Sequence, residues 1–520
     1  MDRTQMVESL KSTSSWDFIV IGGGASGLGV AVDTASRGYK TILFESVDFA
    51  KGTSSRSTKL AHGGVRYLAK GDIKLVIEAL RERGLLSKNA SHLFKSRNFI
   101  IPNYSIWKGP YFAIGLKLYD LLSGRRSLGK SRLIGKKKTL ARIPTLNGDQ
   151  LKSGVIYRDG QFDDSRLAIN LAQTAVDNGA SVINYMKVID VLKNETGQLT
   201  GVKVEDKESG LHFDVFAKIV INATGVFANK ILKLNGRPKK ALKVVPSQGI
   251  HLVLDREFLP GEDALMIPKT SDGRVLFAIP WYNRIVLGTT DTMVNKPSYE
   301  PRATVEEIDF ILETAGNYLT KKPRHSDVRS VYAGLRPLVA PEGNKENTKE
   351  ISRGHQILIS ETGLISILGG KWTTYREMAK DIVDTALKEN QIDAKPCVTK
   401  KLSIHGNTKQ TFKGAYSIYG SDAIGIKALE EERPELKRKI HADFDYTLSM
   451  VVWAVKEEMA RTVEDVLARR TRMLFLDASA AINSSAVVAR TMAPELGKDE
   501  AWISQQIEDF ATLARQYIVT

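Results

Sequence analysis

The 520-residue chain has a single cysteine, Cys397. It can form no internal disulfide and no multi-cysteine metal or iron–sulfur site, so no metal is expected, a reducing compartment is implied, and Cys397 itself reads as inert. Long apolar runs are also missing. Nothing in the chain approaches the ~18 uninterrupted apolar residues of a spanning helix. Met1 to Ser15 alternates polar and charged residues without an apolar core, so neither a secretory signal nor a membrane anchor is expected there. No repeat of solenoid or propeller spacing recurs.

What the chain does contain is an ordinary share of core-forming residues, 42% hydrophobic, over a length that suits about three domains. It also carries an excess of cations, with a formal net charge of +16, which calls for a polyanionic partner: nucleic acid, anionic lipid or an acidic substrate. The excess is uneven. Within segment 104–142, Lys108, Lys117, Arg125, Arg126, Lys130, Arg132, Lys136, Lys137, Lys138 and Arg142 face the single acid Asp120, beside Trp107, Tyr111, Phe112, Ile114, Leu118 and Leu121. Such a segment suits the headgroup layer of an anionic membrane, with rings in lipid and lysines on phosphates. The competing reading is a buried helix of a substrate domain followed by a solvated basic loop. No nucleic-acid fold signature accompanies the charge, so no nucleic-acid partner is expected.

The most specific local pattern is Asp17-Phe-Ile-Val-Ile-Gly22-Gly23-Gly24-Ala25-Ser26-Gly27, an apolar strand running through glycines into a helix. Gly22 permits the tight turn, Gly24 lets backbone approach a pyrophosphate, and Gly27 lets helix and strand pack closely. Ala25 and Ser26 then open the helix at its positive end. A second apolar run, Lys40 to Phe44, ends in Glu45, placed to accept from ribose hydroxyls and to disfavour a 2′-phosphate. The pattern predicts a bound adenine dinucleotide other than NADP.

Two later strand-and-glycine units, Phe216 to Gly225 with its Ala223-Thr224-Gly225 turn and Gly363 to Gly370, read as returns to the same sheet. Three separated backbone contacts favour a long, retained FAD over an exchangeable NAD. The predicted fold is α/β: a discontinuous Rossmann-like FAD domain (1–95, 150–243 and 338–395), an antiparallel-sheet substrate domain (96–149 and 244–337), and a separate helical domain (396–520). Alternating runs at 249–254, 274–279 and 284–288 support the antiparallel sheet, and apolar positions from Leu448 to Leu476 at helical spacing support the last domain.

The densest polar constellation is Thr53-Ser54-Ser55-Arg56-Ser57-Thr58-Lys59-Leu60-Ala61-His62-Gly63-Gly64-Val65-Arg66-Tyr67. Thr53, Ser54 and Ser55 can bond pyrophosphate or ribose. His62, Arg66 and Tyr67 bracket a glycine pair, Gly63-Gly64, through which backbone can approach a flat ring; an ordinary structural loop is the alternative. Arg336, in Gly334-Leu-Arg-Pro337, and Lys371, after Gly369-Gly370, add cations suited to an anion or to reduced flavin.

In this order, the cradle, Thr-Ser-Ser, Lys59-Leu-Ala-His-Gly-Gly-Val-Arg-Tyr67, Asn222-Ala-Thr-Gly225, Gly288-Thr-Thr-Asp291, Gly334-Leu-Arg-Pro337 and Gly369-Gly-Lys-Trp-Thr-Thr-Tyr-Arg376 resemble the FAD-dependent glycerol-3-phosphate dehydrogenases, from about residue 16 to 390, with a helical tail similar to that family's. The resemblance implies FAD, oxidation of sn-glycerol 3-phosphate to dihydroxyacetone phosphate, electron delivery to membrane quinone, and peripheral attachment to the cytoplasmic face of the cell membrane. It places Arg66, Tyr67, Arg336, Lys371 and Thr373 around the substrate, with His62 beside the flavin. It also assigns Lys59, Asp291 and Gly370 to the cofactor. Trp372 departs from the aliphatic residue expected there. The mitochondrial members' presequence and calcium-binding hands find no counterpart, so the chain resembles the bacterial form, and lack of the insertion carried by oxygen-using relatives favours quinone.

For the C2 hydroxyl proton, His62 and His251 are the candidate bases. His251 lies in an alternating strand and reads equally as a satisfied core histidine. Two other functions stay open: a flavin oxidase of amino or hydroxy acids, and a basic membrane- or nucleic-acid-binding protein with a structural flavin. Oligomeric state is left open, a homodimer included.

Overall fold

The computed structural model describes residues 1–64, 68, 71–236, 242–270, 273–341 and 354–519. Among them the strand Trp16–Ile21 sits between Thr41–Phe44 and His212–Asn222, parallel to both. Ile365–Gly369 runs parallel beyond His212–Asn222, and Ser181–Ile183 beyond Thr41–Phe44. Phe18, Ile19 and Val20 are fully buried, as a strand covered on both faces must be. One face meets the helices Ala25–Ser36, Asp164–Asp177 and Tyr375–Glu389. The other meets an antiparallel meander, Met186–Lys193, Leu199–Asp206 and the start of His212–Asn222, together with helix Ala228–Leu234. Three stretches far apart in sequence therefore complete one parallel sheet, as the glycine-ended strands predict.

The described residues form a second, ten-stranded sheet. Its spine is the long antiparallel pair Leu242–Asp255 and Val328–Pro341, in register from Leu242 opposite Pro341 to Val253 opposite Ser330, with a one-residue shift before Leu254 opposite Val328. Helix Val305–Gly316, opened by a Thr304–Glu307 capping box, packs Ile308, Ile311, Leu312 and Ala315 on it.

The sheets divide the chain differently from the predicted domain limits: Leu242–Asp255 and Val328–Pro341 run across the limits at 243/244 and 337/338, and the strands around Ser153–Phe162 change sheet. Ser153–Phe162 pairs antiparallel along its whole length with Phe94–Asn103, and Leu60–Ala61 joins its far side. Ser153–Phe162 and Leu60–Ala61, expected with the cofactor domain, belong to the second sheet beside Phe94–Asn103, which was expected there almost throughout. A half-buried strand is compatible with either sheet until its partner is chosen, and here the partner lies more than fifty residues away.

The C-terminal part is helical, with Leu448–Glu458, Ala478–Leu496 and Glu500–Ala514 as its longest members, but it is not separate. One continuous apolar cluster runs from Phe18 and Val20 through Ile382 to Val451, Met473 and Phe510. Nor is Leu448–Leu476 one helix. Met459 and Arg472 take left-handed backbone angles (φ 53° and 65°), and a π-helical turn, Asp465–Arg470, lies between them. The turn is buried despite its charge because it meets opposite charge from the cofactor domain. Arg469 and Arg470 both donate to Asp48, Arg166 holds Glu458 through two bonds of 2.8 Å, and Arg472 donates to Asp164 at 3.0 Å.

At the entry to this region His405 lies between Asp177 (2.7 Å) and Asp422 (3.1 Å). Burial opposes its charge, but the two carboxylates prevail and push the imidazole up to about 9, from an ordinary 6.5. The clamp's contribution is therefore complete below the ordinary value and fades as pH rises through the folded one. Urea melts at about pH 6 and about pH 9.5 should show the stability advantage of wild type over His405→Gln shrinking across that interval. An advantage that stays constant with pH would refute the clamp.

Candidate cofactor cleft and substrate site

The strand Trp16–Ile21 ends at Gly22, whose φ of +111° and contact with Ala223 (2.8 Å from an added Cβ to its carbonyl oxygen) leave no room for a side chain. A Cβ on Gly27 would lie 1.9 Å from the Gly22 carbonyl oxygen, so helix and strand approach each other only because both are glycine. Gly24 is different: an added Cβ would meet only the Ser54 side chain, its Oγ at 3.0 Å, and otherwise looks into open space. That space is a cleft of about 710 Å³.

The cleft runs from the first sheet toward the second. Gly22, Gly24, Ala25 and Ser26 form its floor, Glu45, Thr53 and Ser54 one side, and Ala223, Thr224 and Gly225 another. Gly369, Gly370 and Lys371 close the far end beside Pro337. The N-cap residue Gly24 has no side chain to cap helix Ala25–Ser36, and the first turn holds no acid, so the positive end still suits an anionic ligand. Ser54 Oγ accepts from the Ala25 N–H at 2.9 Å and steadies that end. Glu45 accepts from the N–H groups of Gly23 (2.6 Å) and Val47 (3.0 Å), while burial pushes its carboxyl above the ordinary value. These features fit a dinucleotide: a pyrophosphate at the helix end and a ribose toward Glu45.

Other expected residues lie elsewhere. Ser55 is buried, and its carbonyl accepts from Lys59 Nζ (2.7 Å) and Arg472 (2.8 Å). Lys59 is not on the cleft wall. Its Nζ donates to Asp164 at 2.8 Å inside a cage of Trp281, Tyr332 and Phe475, where burial pushes it down to about 7 against the pull of Asp164. An ammonium deprived of water needs that carboxylate more than a ligand. Asp291, expected at the cofactor, accepts from Arg336 (3.2 Å) and from Ser247. Gly63 donates to the Tyr119 hydroxyl at 2.8 Å, Gly64 takes a φ of +74°, and His62 is half-buried after Leu60–Ala61. Thr373 is buried in the turn Trp372–Thr374. Arg66 and Tyr67 lie outside the described residues.

Arg336 is gripped by its neighbours. Besides Asp291 it donates to the carbonyls of Gln248 (3.2 Å) and Thr290 (2.9 Å) and to Thr289 Oγ1 (3.1 Å). The planar fork is thereby fixed in orientation before any ligand arrives. His251, opposite Gly288 in the same sheet, is 3% exposed, bonds Thr58 Oγ1 at 2.9 Å and stacks on Tyr332 with ring centres 4.9 Å apart. Burial first, then the cations Lys59 and Arg336, push its imidazole well below the ordinary value, so it is neutral at physiological pH. Trp372, the departure in the sequence, donates its indole N–H to the Ser54 carbonyl at 2.8 Å and sets its ring edge-on to Phe162 and Tyr375. It joins the hydroxyl loop to the second sheet, a role only an aromatic with a donor performs.

The family model for FAD dependent oxidoreductases matches residues 17–376, and that for the C-terminal domain of alpha-glycerophosphate oxidase matches 360–503. Fold and cleft are thus those of an FAD-dependent oxidoreductase. The mitochondrial glycerol-3-phosphate dehydrogenase of Schizosaccharomyces pombe is 38% identical over 99% of this chain and 89% of its own length. The solved glycerol-3-phosphate dehydrogenase of Bacillus halodurans, complexed with FAD, superposes with a TM-score of 0.81 at 30% identity, covering 99% of this chain and 97% of that one. The chain belongs to the FAD-dependent glycerol-3-phosphate dehydrogenase family. L-alpha-glycerophosphate oxidase from Mycoplasma pneumoniae shares the fold, with a TM-score of 0.56 at 16% identity over 72% of this chain and 95% of that one.

The close approach at Gly27 is directly testable. Gly27→Ala should purify with less than about a tenth of the wild-type flavin absorbance, because the helix must retreat from the strand. Full flavin content in that variant would show that the 1.9 Å contact is relieved without cost to the cleft.

Proposed function

We propose that this protein oxidises sn-glycerol 3-phosphate to dihydroxyacetone phosphate and passes the electrons to a membrane quinone. The carrying observation is that the dinucleotide cleft ends at Lys371 and Pro337, next to the strand on which Arg336 is held. Two cations at the end of the cleft away from Glu45 suit a substrate with a phosphate at one end. Identity of 38% along nearly the whole chain to a glycerol-3-phosphate dehydrogenase supports the same substrate.

Bound FAD supplies the hydride acceptor. Arg336, oriented by Asp291, the Thr289 hydroxyl and the carbonyls of Gln248 and Thr290, binds the phosphate through its fork, and Lys371 offsets negative charge as the C2 hydroxyl loses its proton. Two groups can take that proton: His62, or the neutral His251 acting through the Thr58 hydroxyl bonded to it. Replacing Arg336 or Lys371 by alanine should lower kcat/KM for glycerol 3-phosphate by about 10²–10³ while leaving the flavin spectrum intact. In the anaerobic wild-type protein, glycerol 3-phosphate should bleach the flavin. A flavin that stays oxidised, or peroxide released with amino or hydroxy acids alone, would overturn the assignment.

Delivery to quinone requires contact with lipid, and helix Lys108–Ser123 supports it. Its inner face buries Leu116 and Tyr119, while Tyr111, Ile114, Leu118 and Leu121, spaced three and four apart, are exposed on the outer face. Trp107 just before it is 83% exposed. Lys136, Lys137 and Lys138, which open the next helix, are exposed as well. No helix among the described residues is long and apolar enough to cross a membrane, so this reading is of a helix lying in the interface on the cytoplasmic face. Sedimentation with vesicles of phosphatidylcholine and phosphatidylglycerol should fall about tenfold on charge reversal at Lys136–Lys138, and again for Trp107→Ser with Ile114→Ser. Undiminished binding by both variants would remove this segment from the interface.

A further inference from the structure

The chain between Thr292–Met293 and helix Val305–Gly316 leaves the second sheet and reaches the cofactor cleft. Tyr299 lines the cleft beside Glu45 and Ser46, with its hydroxyl 2.9 Å from Ser46 Oγ. Its ring stacks on Phe227, with centres 4.3 Å apart and planes inclined by 32°. Phe227 ends the short turn that follows Ala223-Thr224-Gly225, so the two rings come from different domains and meet at the end of the cleft where Glu45 marks the ribose. Lys230 lies over the Phe227 ring at 5.0 Å and shares the same wall.

The next residue anchors this contact. The Glu300 carboxylate accepts from Arg56 through two bonds of 2.8 and 2.7 Å, from Lys51 at 2.5 Å, and from the Tyr517 hydroxyl at 2.7 Å. Lys51 is shared with Glu464, which in turn holds Arg469. Burial opposes charge on Glu300, but Arg56 and Lys51 hold its carboxyl below the ordinary value, so the anchor stays ionised. Lys51 and Arg56 flank the Thr53-Ser54-Ser55 loop, and Tyr517 and Glu464 belong to the C-terminal helical region. A single carboxylate thus joins the substrate domain, the cofactor loop and the C-terminal region at one point.

We propose that segment 294–300 is a strap over the adenosine end of the FAD cleft. Tyr299 and Phe227 supply the aromatic surface against which the purine packs, and Glu300 is the latch that keeps the strap down. The latch gives the C-terminal helices a part in cofactor retention: through Tyr517 and Glu464 they hold the strap although they line none of the cleft. The far end, with Arg336 and Lys371, handles substrate and is untouched by the strap. The inference rests on FAD being the ligand of this cleft and is independent of the substrate assigned above.

The test uses the flavin-loaded enzyme and follows the rise in free FAD fluorescence after dilution. Tyr299→Ala should release FAD about tenfold faster than wild type and Glu300→Gln several-fold faster, whereas Tyr299→Phe, which keeps the ring and loses only the bond to Ser46, should stay close to wild type. Melting temperatures separate a loosened strap from general damage: the drop in Tyr299→Ala and Glu300→Gln should be recovered by a large excess of added FAD. Wild-type release rates in both variants, or a drop in melting temperature that saturating FAD leaves unchanged, would overturn the proposal. Neither measurement involves glycerol 3-phosphate, so a failure here is distinguishable from a wrong substrate.

Discussion

Asp48, Asp164 and Glu458 have no exposed surface, and a carboxylate without water must be met by donors in fixed positions. Asp48, three residues after Glu45, takes Arg469 and Arg470. Asp164 takes Ser57, Lys59 and Arg472, and Glu458 takes Arg166. Removing one partner from a buried pair of this kind costs about 3–5 kcal/mol, because the other charge is left uncompensated. Apolar contact alone would let the C-terminal helices slide across the parallel sheet; these pairs admit one seating. The rest of the structure depends on that seating, since the loop carrying Thr53 and Ser54 is held from behind by Arg472 on the Ser55 carbonyl and by Asp164 on Ser57.

The consequence for function is a division of labour among charges of the same kind. Lys59, Arg166 and Arg472 are spent on carboxylates in the interior, while Lys371 reaches the cleft wall and Arg336 lies beside it, a quarter exposed. The same burial that lowers the Lys59 ammonium keeps His251 neutral beside Thr58, so among the described residues near Pro337 the positive charge is carried by Arg336 and Lys371. Exposed cations form a third population, around helix Lys108–Ser123, where they accompany an apolar face with no partner among the described residues. The 75 lysines and arginines counted in the composition are therefore put to at least three different uses.

Much of the cofactor cleft was legible from the chain because its rules are local. Gly22, Gly24 and Gly27 are required by torsion angles and close approach within six residues, and Glu45 by the length of one helix and one strand. The strands ending at Gly225 and Gly369 announced themselves by apolar runs closed with glycine. The substrate sheet was legible as alternation. The assignment of Ser153–Phe162 failed because alternation names a face and not a partner. Asp291 and Lys59, which the resemblance assigns to the cofactor, lie off the cleft wall for a related reason: each has a buried side chain and answers to an opposite charge 45 and 105 residues away.

Tyr299 and Trp372 show where the boundary falls. Nothing near Tyr299 in the chain indicates that it meets Phe227, seventy-two residues earlier, and Trp372 stood out only as an unexpected residue type. The sequence by itself determined the cofactor class, the return of the glycine-ended strands to one sheet, and the cations available for an anionic substrate, since all three follow from spacing and steric rules among neighbours. Tertiary structure decided which cations reach the cleft and which are paired in the interior. It also decided which loops wall the cleft and how the C-terminal helices lock onto it. Those outcomes depend on the cost of burying charge and on the packing of distant surfaces, neither of which has a local signature.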